Sequence, residues 1–215
     1  MNINIIFLLV QIGIIPTIFS LIKLYKGERI YRDFYLYIIV SYFIEIITNR
    51  LINAKYFNIS NVIVNLYFLF EFTILISLIN KLIGNKKSNK RLLLLTVIFW
   101  VIENSLFHKI YEAEKYFNIL SAIILFGQVS YALVSNLNKN YKSFFNEANI
   151  LIILTLLFNL SFRILFEFLY YNYKGNLQII DSIGKIYISI NFLTNILFIY
   201  CLSCIKNTKK LISSF

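Results

Sequence analysis

Five ionisable residues stand inside long apolar stretches of this sequence: Glu45, Glu71, Glu103, Arg163 and Glu167. Carboxylates and a guanidinium in such surroundings either bind a polar ligand or ion, or hold helices together through hydrogen bonds. Asn49, Asn65, Asn104, Gln128, Asn159, Asn191 and Asn195 join them. Spacing says which of them share a face. Glu45 and Asn49, Tyr67 and Glu71, Asn159 and Arg163, Arg163 and Glu167, and Asn191 and Asn195 are each four residues apart. On a helix, each pair lies on one face. Four Glu oppose one Arg in this set. A buried carboxylate without a cationic partner must take up a proton, bind a cation or reach water. Arg163 can neutralise Glu167 on its own helix, or another Glu across the bundle.

Other chemistries lack their residues. There is no His-Glu-x-x-His, and the single histidine is His108. One His supplies no zinc site. No Ser or Asp pair has a catalytic spacing, so the chain reads as a non-enzyme without metal or cofactor. A retinal receptor needs a lysine deep in its last helix, whereas Lys185 stands at the start of the last apolar segment. Cys201 and Cys204 give no disulfide framework and read as plain thiols at a helix end.

The elements that must position these residues are visible as apolar blocks. Of the 215 residues, 59% are hydrophobic and 14% charged, against about 25% charged in soluble domains. Mean hydropathy is +0.73. The blocks cover 3–22, 34–52, 62–83, 92–107, 117–137, 149–171 and 183–205. Most are long enough to cross about 30 Å of hydrocarbon; 92–107 is the shortest. A single proline, Pro16, leaves the backbone free to be almost wholly helical, as lipid demands. The expectation is an all-α polytopic bundle forming a single membrane domain over residues 1–215, with seven spans.

Charge orients it. Six basic residues fall on one side: Arg50, Lys55, Lys109, Lys115, Lys174 and Lys185. Fourteen fall on the other, among them Lys81, Lys86, Lys87, Lys90 and Arg91 in one loop. The positive-inside rule puts the larger group in the cytoplasm, hence N-terminus outside and C-terminus inside. Were the fourth segment not to cross, the later loops would invert and the bias would shrink. The 1.5 Å helical rise puts Glu45 and Glu103 roughly 16 Å from the cytoplasmic start of their helices, and Arg163 and Glu167 farther out. The polar groups thus gather from the midplane to the outer half. The low Pro, Gly and Ala content, with much Ile, Asn and Lys, fits an AT-rich bacterial genome, hence a bacterial inner membrane.

The net charge of +11 invites a nucleic-acid reading. Topology already explains it, because the charges lie in short loops between apolar segments. The densest of these, Lys81 to Arg91, either touches anionic headgroups or docks an acidic or nucleic-acid-bearing partner.

Three stretches carry a family resemblance: Tyr35-Leu-Tyr-Ile-Ile-Val-Ser-Tyr-Phe-Ile-Glu45, Asn65-Leu-Tyr-Phe-Leu-Phe-Glu71-Phe72, and the Asn-rich segment from Asn191 to Asn195. On these the chain resembles a family of small multi-span membrane proteins common in Bacteroidetes. That family includes the membrane accessory protein encoded beside type VI-B CRISPR effectors, which are RNA-guided RNases. Relatives in the family also stand in natural competence and DNA modification, so the resemblance implies an accessory or regulatory role without fixing the branch; in the CRISPR branch the partner is a cytoplasmic RNA-guided effector. The expected function is therefore a membrane sensor or regulator. Its outer-half pocket would bind a small ligand or ion, and its cytoplasmic loops, chiefly Lys81, Lys86, Lys87, Lys90 and Arg91, would engage the partner. The alternative is a cation-conducting pore built as a homo-oligomer, with the carboxylates selecting cations.

Overall fold

The computed structural model describes residues 3–26, 28–84, 90–107, 109–112, 116–139, 148–173 and 177–205. Among them are seven α-helices: α1 (Ile3–Lys26), α2 (Arg32–Asn53), α3 (Phe57–Ile83), α4 (Lys90–Ile102), α5 (Tyr116–Lys139), α6 (Ala148–Tyr173) and α7 (Leu177–Cys204). A 3-10 turn, Arg29–Tyr31, leads into α2, and a π-helical turn, Glu103–Phe107, prolongs α4. The molecule is an all-α bundle. Stretches within α2, α3, α5, α6 and α7 are long and apolar enough to cross a membrane. Large apolar side chains such as Leu94, Leu95, Tyr131, Phe168 and Ile186 stand on the outer surface. An apolar belt of this kind suits a hydrocarbon solvent.

Six helices close a ring in the order α1, α2, α3, α5, α6, α7 and back to α1. Helix α4 stands outside it, lightly packed on α3 and α5. Two ends can be told apart. Toward the α1–α2 connection the ring is filled by apolar side chains, including Phe34, Leu75, Leu78, Leu125, Ile152 and Leu202, all fully buried. Phe198 of α7 meets the edges of Phe34 and Tyr37.

Polar clasps close the rim of that end. Lys23 Nζ donates to the carbonyl of Ile205. Tyr31 donates its hydroxyl proton to Asn149 Oδ1 at 2.7 Å. Lys81 pairs with Asp33 at 2.6 Å, tying α3 to α2. Lys81, a docking cation by its sequence position, makes this ion pair while its side chain stays 40% exposed. Arg91 is exposed. Lys86 and Lys87 lie outside the described residues, and Lys90 opens α4.

Helix ends follow local rules. Gly84 ends α3 at φ +77°, a left-handed conformation that glycine adopts without penalty. Helix α2 ends the same way on a residue that has a Cβ: Lys55 has φ +64°. Tyr56 N bonds the Leu51 carbonyl at 2.8 Å and Lys55 N bonds that of Ile52 at 2.9 Å, the paired Schellman pattern. A left-handed L-residue costs about 1–2 kcal/mol. Lys55→Gly is therefore expected to stabilise the protein by about 1 kcal/mol. Thermal unfolding in lipid nanodiscs checks this, and a lowered midpoint would contradict it.

Pro16 lies within α1 and lacks the N–H that an uninterrupted helix uses. One residue on, the Thr17 hydroxyl donates to the Gly13 carbonyl at 2.8 Å. Gly13 itself faces Tyr42 of α2 so closely that a Cβ there would lie 2.8 Å from the ring. Glycine at 13 lets α1 approach α2 where the cavity described next begins.

Candidate ligand-binding cavity

From the middle of the ring toward the α2–α3 connection, the packed core gives way to a cavity of about 400 Å³. Helices α1, α2, α3, α6 and α7 line it. Of the thirteen intramembrane residues singled out from the sequence, nine line this one space: Glu45, Asn49, Tyr67, Glu71, Asn159, Arg163, Glu167, Asn191 and Asn195. The four-residue spacings are the reason. Each polar stripe occupies one face of its helix, and ring closure turns those faces inward.

Arg163 is the hub. Its Nη1 donates to Glu71 Oε2 across the ring. Its Nε donates to Asn118 Oδ1 at 3.0 Å, and Nη2 donates to the same oxygen. The guanidinium carbon lies 4.5 Å from the centroid of the Phe68 ring, within cation–π range. Asn118 passes the network on, donating from Nδ2 to Glu167 Oε1. Of the two partners open to Arg163, the ion pair goes to Glu71, and Asn118 bridges to Glu167. A hydrogen-bonded pair of this kind lets charges persist away from water.

A second polar corner belongs to α2 and α3. Ser41 Oγ sits 2.6 Å from both the Tyr37 carbonyl and the Tyr67 hydroxyl. Its single proton goes to the carbonyl, so Tyr67 must donate to Ser41. Across the cavity, Asn191 Nδ2 approaches Glu45 Oε1 at 3.5 Å, the long limit of a hydrogen bond. Glu45 has no ion pair among the described residues. Among the described residues the charged lining is thus three carboxylates and one guanidinium.

Four expected members are absent from the lining: Gln128 of α5, Asn104, which donates to the Trp100 carbonyl at 3.0 Å, and Glu103 and Asn65. Glu103 is buried, but at the foot of α5, where its carboxylate accepts the amide protons of Tyr116, at 2.9 Å, and of Phe117. Depth along the sequence placed it with the pocket; α4 stands outside the ring, which takes it away. Asn65 donates to the carbonyls of Ile110 at 2.9 Å and Glu112 at 2.8 Å, holding the segment before α5 against α3. Cys201 and Cys204 are free thiols, and Cys201 lies 3.2 Å from Thr155 Oγ1 in the packed end. His108 lies outside the described residues.

Sequence reasoning missed Asn118. It is the second residue of the fifth apolar block, where an asparagine passes for a boundary residue, yet it is almost fully buried. The weak signal was its position inside a segment that begins at Phe117. Ser41, Thr48 and Tyr187 were also passed over, because hydroxyls are common in spanning helices.

No protein-family model matches the chain, and neither a curated protein nor a solved structure does.

Proposed function

We propose that this is a multi-pass membrane regulator that crosses the bilayer seven times, with its N-terminus outside and its C-terminus in the cytoplasm. Its cavity faces the outer half of the bilayer and binds a small ligand or ion. Its cytoplasmic loops engage a soluble partner. The observation that carries the reading is the convergence of nine polar residues from four helices on one cavity, against an apolar packing that fills the other end. Polar groups are costly in a bilayer. Helix adhesion alone is satisfied by direct contacts and needs no space between them.

The fourteen-to-six distribution of basic residues supports the orientation. The resemblance to the Bacteroidetes membrane family makes an RNA-guided effector the partner to seek. The packed α1–α2 end speaks against a pore through a single copy.

Crosslinking capture from bacterial cells tests the reading, with the tag on the cytoplasmic tail. The expected result is recovery of an RNA-guided ribonucleoprotein, lost when Lys86, Lys87, Lys90 and Arg91 are made neutral. Recovery of only further copies of the chain, with cation flux through liposomes containing it, would replace the regulator with the pore.

A further inference from the structure

Resting on the reading of a ligand-binding cavity, we infer that its ligand is a small organic ammonium, a primary amine with an apolar body, whose charge is held by Glu45. Three observations converge on this class. The first is how the carboxylates are already used. Glu71 is paired with Arg163, and Glu167 accepts from Asn118. Glu45 meets Asn191 only at 3.5 Å. An ionised carboxylate offers about four acceptor positions, so Glu45 has most of its capacity left facing the cavity.

The second is the size and spread of the site. At about 400 Å³ the cavity falls in the range of small-molecule pockets, roughly 300–1,000 Å³. Its carboxylates are distributed round the wall and do not gather. Among the described residues, no three His, Cys, Asp or Glu side chains lie close enough to share an ion. A bare cation would leave most of the space to water.

The third is the wall itself. Tyr42, Tyr187, Phe166 and Phe198 line the cavity together with Glu45. Aromatic faces attract a cation and also cover an apolar body. The ammonium has three protons to place. Glu45 takes the charge, and the amide oxygens of Asn49 and Asn191 lie on the flanking turn and the facing helix. An anion of the same shape meets three carboxylates and a guanidinium already engaged.

Calorimetry on the full chain in lipid nanodiscs, with empty nanodiscs as control, tests this. The probes are 2-phenylethylammonium, phenylacetate, 2-phenylethanol, sodium chloride and calcium chloride. Saturable binding of the ammonium alone is expected. Glu45→Gln is expected to weaken it roughly thirtyfold or more, as loss of one member of a buried charge pair does. Glutamine keeps the oxygen that faces Asn191, so the fold should survive. Should it not, Glu45→Asp keeps the charge but withdraws it, and is expected to bind more weakly with the same preference for the ammonium. Equal binding of the acid or the alcohol, or unchanged affinity in Glu45→Gln, overturns the ligand class and leaves a binding cavity standing. Saturation by sodium or calcium alone does the same in favour of an inorganic ion. Failure of every probe overturns the class and removes the support for a ligand-gated regulator.

Discussion

Arg163→Met is expected to destabilise the bundle by about 3–5 kcal/mol, the usual cost of leaving one member of a buried ion pair alone. Among the described residues the guanidinium is the only cationic group in the lining, and it bonds both Glu71 and Asn118. Its removal strands the Glu71 carboxylate, which is almost fully buried. It also takes both guanidinium donors from Asn118 Oδ1 and the cation from the face of Phe68. The companion variant separates these effects. Arg163→Met with Glu71→Met replaces both charges by apolar chains of similar length, and should recover most of the loss. A residue of about 1 kcal/mol remains, because Asn118 Oδ1 still lacks its donors. Unfolding in nanodiscs of the wild type and the three variants completes a double-mutant cycle. If the double variant is as unstable as the sum of the singles, the two side chains do not act as a pair, and the network drawn around Arg163 is wrong.

How much of this was legible in the sequence depends on the kind of order involved. The helices were legible because hydrocarbon imposes length and polarity on each segment independently. The stripes were legible because four-residue spacing is a property of one helix, and Glu45 with Asn49, or Asn159 with Arg163, needs no knowledge of a neighbour. Ring order was not legible. Nothing within α4 says that α3 will pack on α5 and leave it outside, yet that single fact removes Glu103 from the pocket. Asn65 departs from the pocket for a related reason. Its place on α3 is a local property, but its partners, the carbonyls of Ile110 and Glu112, belong to a connection far along the chain. Lys81 looked like free charge because Asp33, 48 residues earlier, gives no sign of being its neighbour.

Glu103→Ala carries the other large effect, and it falls on a helix start, away from the cavity. The first amides of a helix have no carbonyl within the helix to bond, and at Tyr116 and Phe117 the Glu103 carboxylate takes that place. Phe117 is buried, so water cannot readily replace the lost acceptor there. A buried donor left unmade costs about 1–3 kcal/mol, and the variant is expected to lose about 2–3 kcal/mol in all. Glu103→Gln keeps one acceptor oxygen and should lose about half as much. The amides of Tyr116 and Phe117 should exchange faster with deuterium in both variants. Ligand binding should not change below the unfolding temperature, because Glu103 is absent from the cavity wall. The two measurements together decide between a helix cap and a pocket carboxylate. A Glu103→Ala protein of unaltered stability that no longer binds the ammonium would return this residue to the site where depth alone had placed it. The opposite pattern fixes the α4–α5 junction as an internal brace, with the work of recognition left to the ring of six.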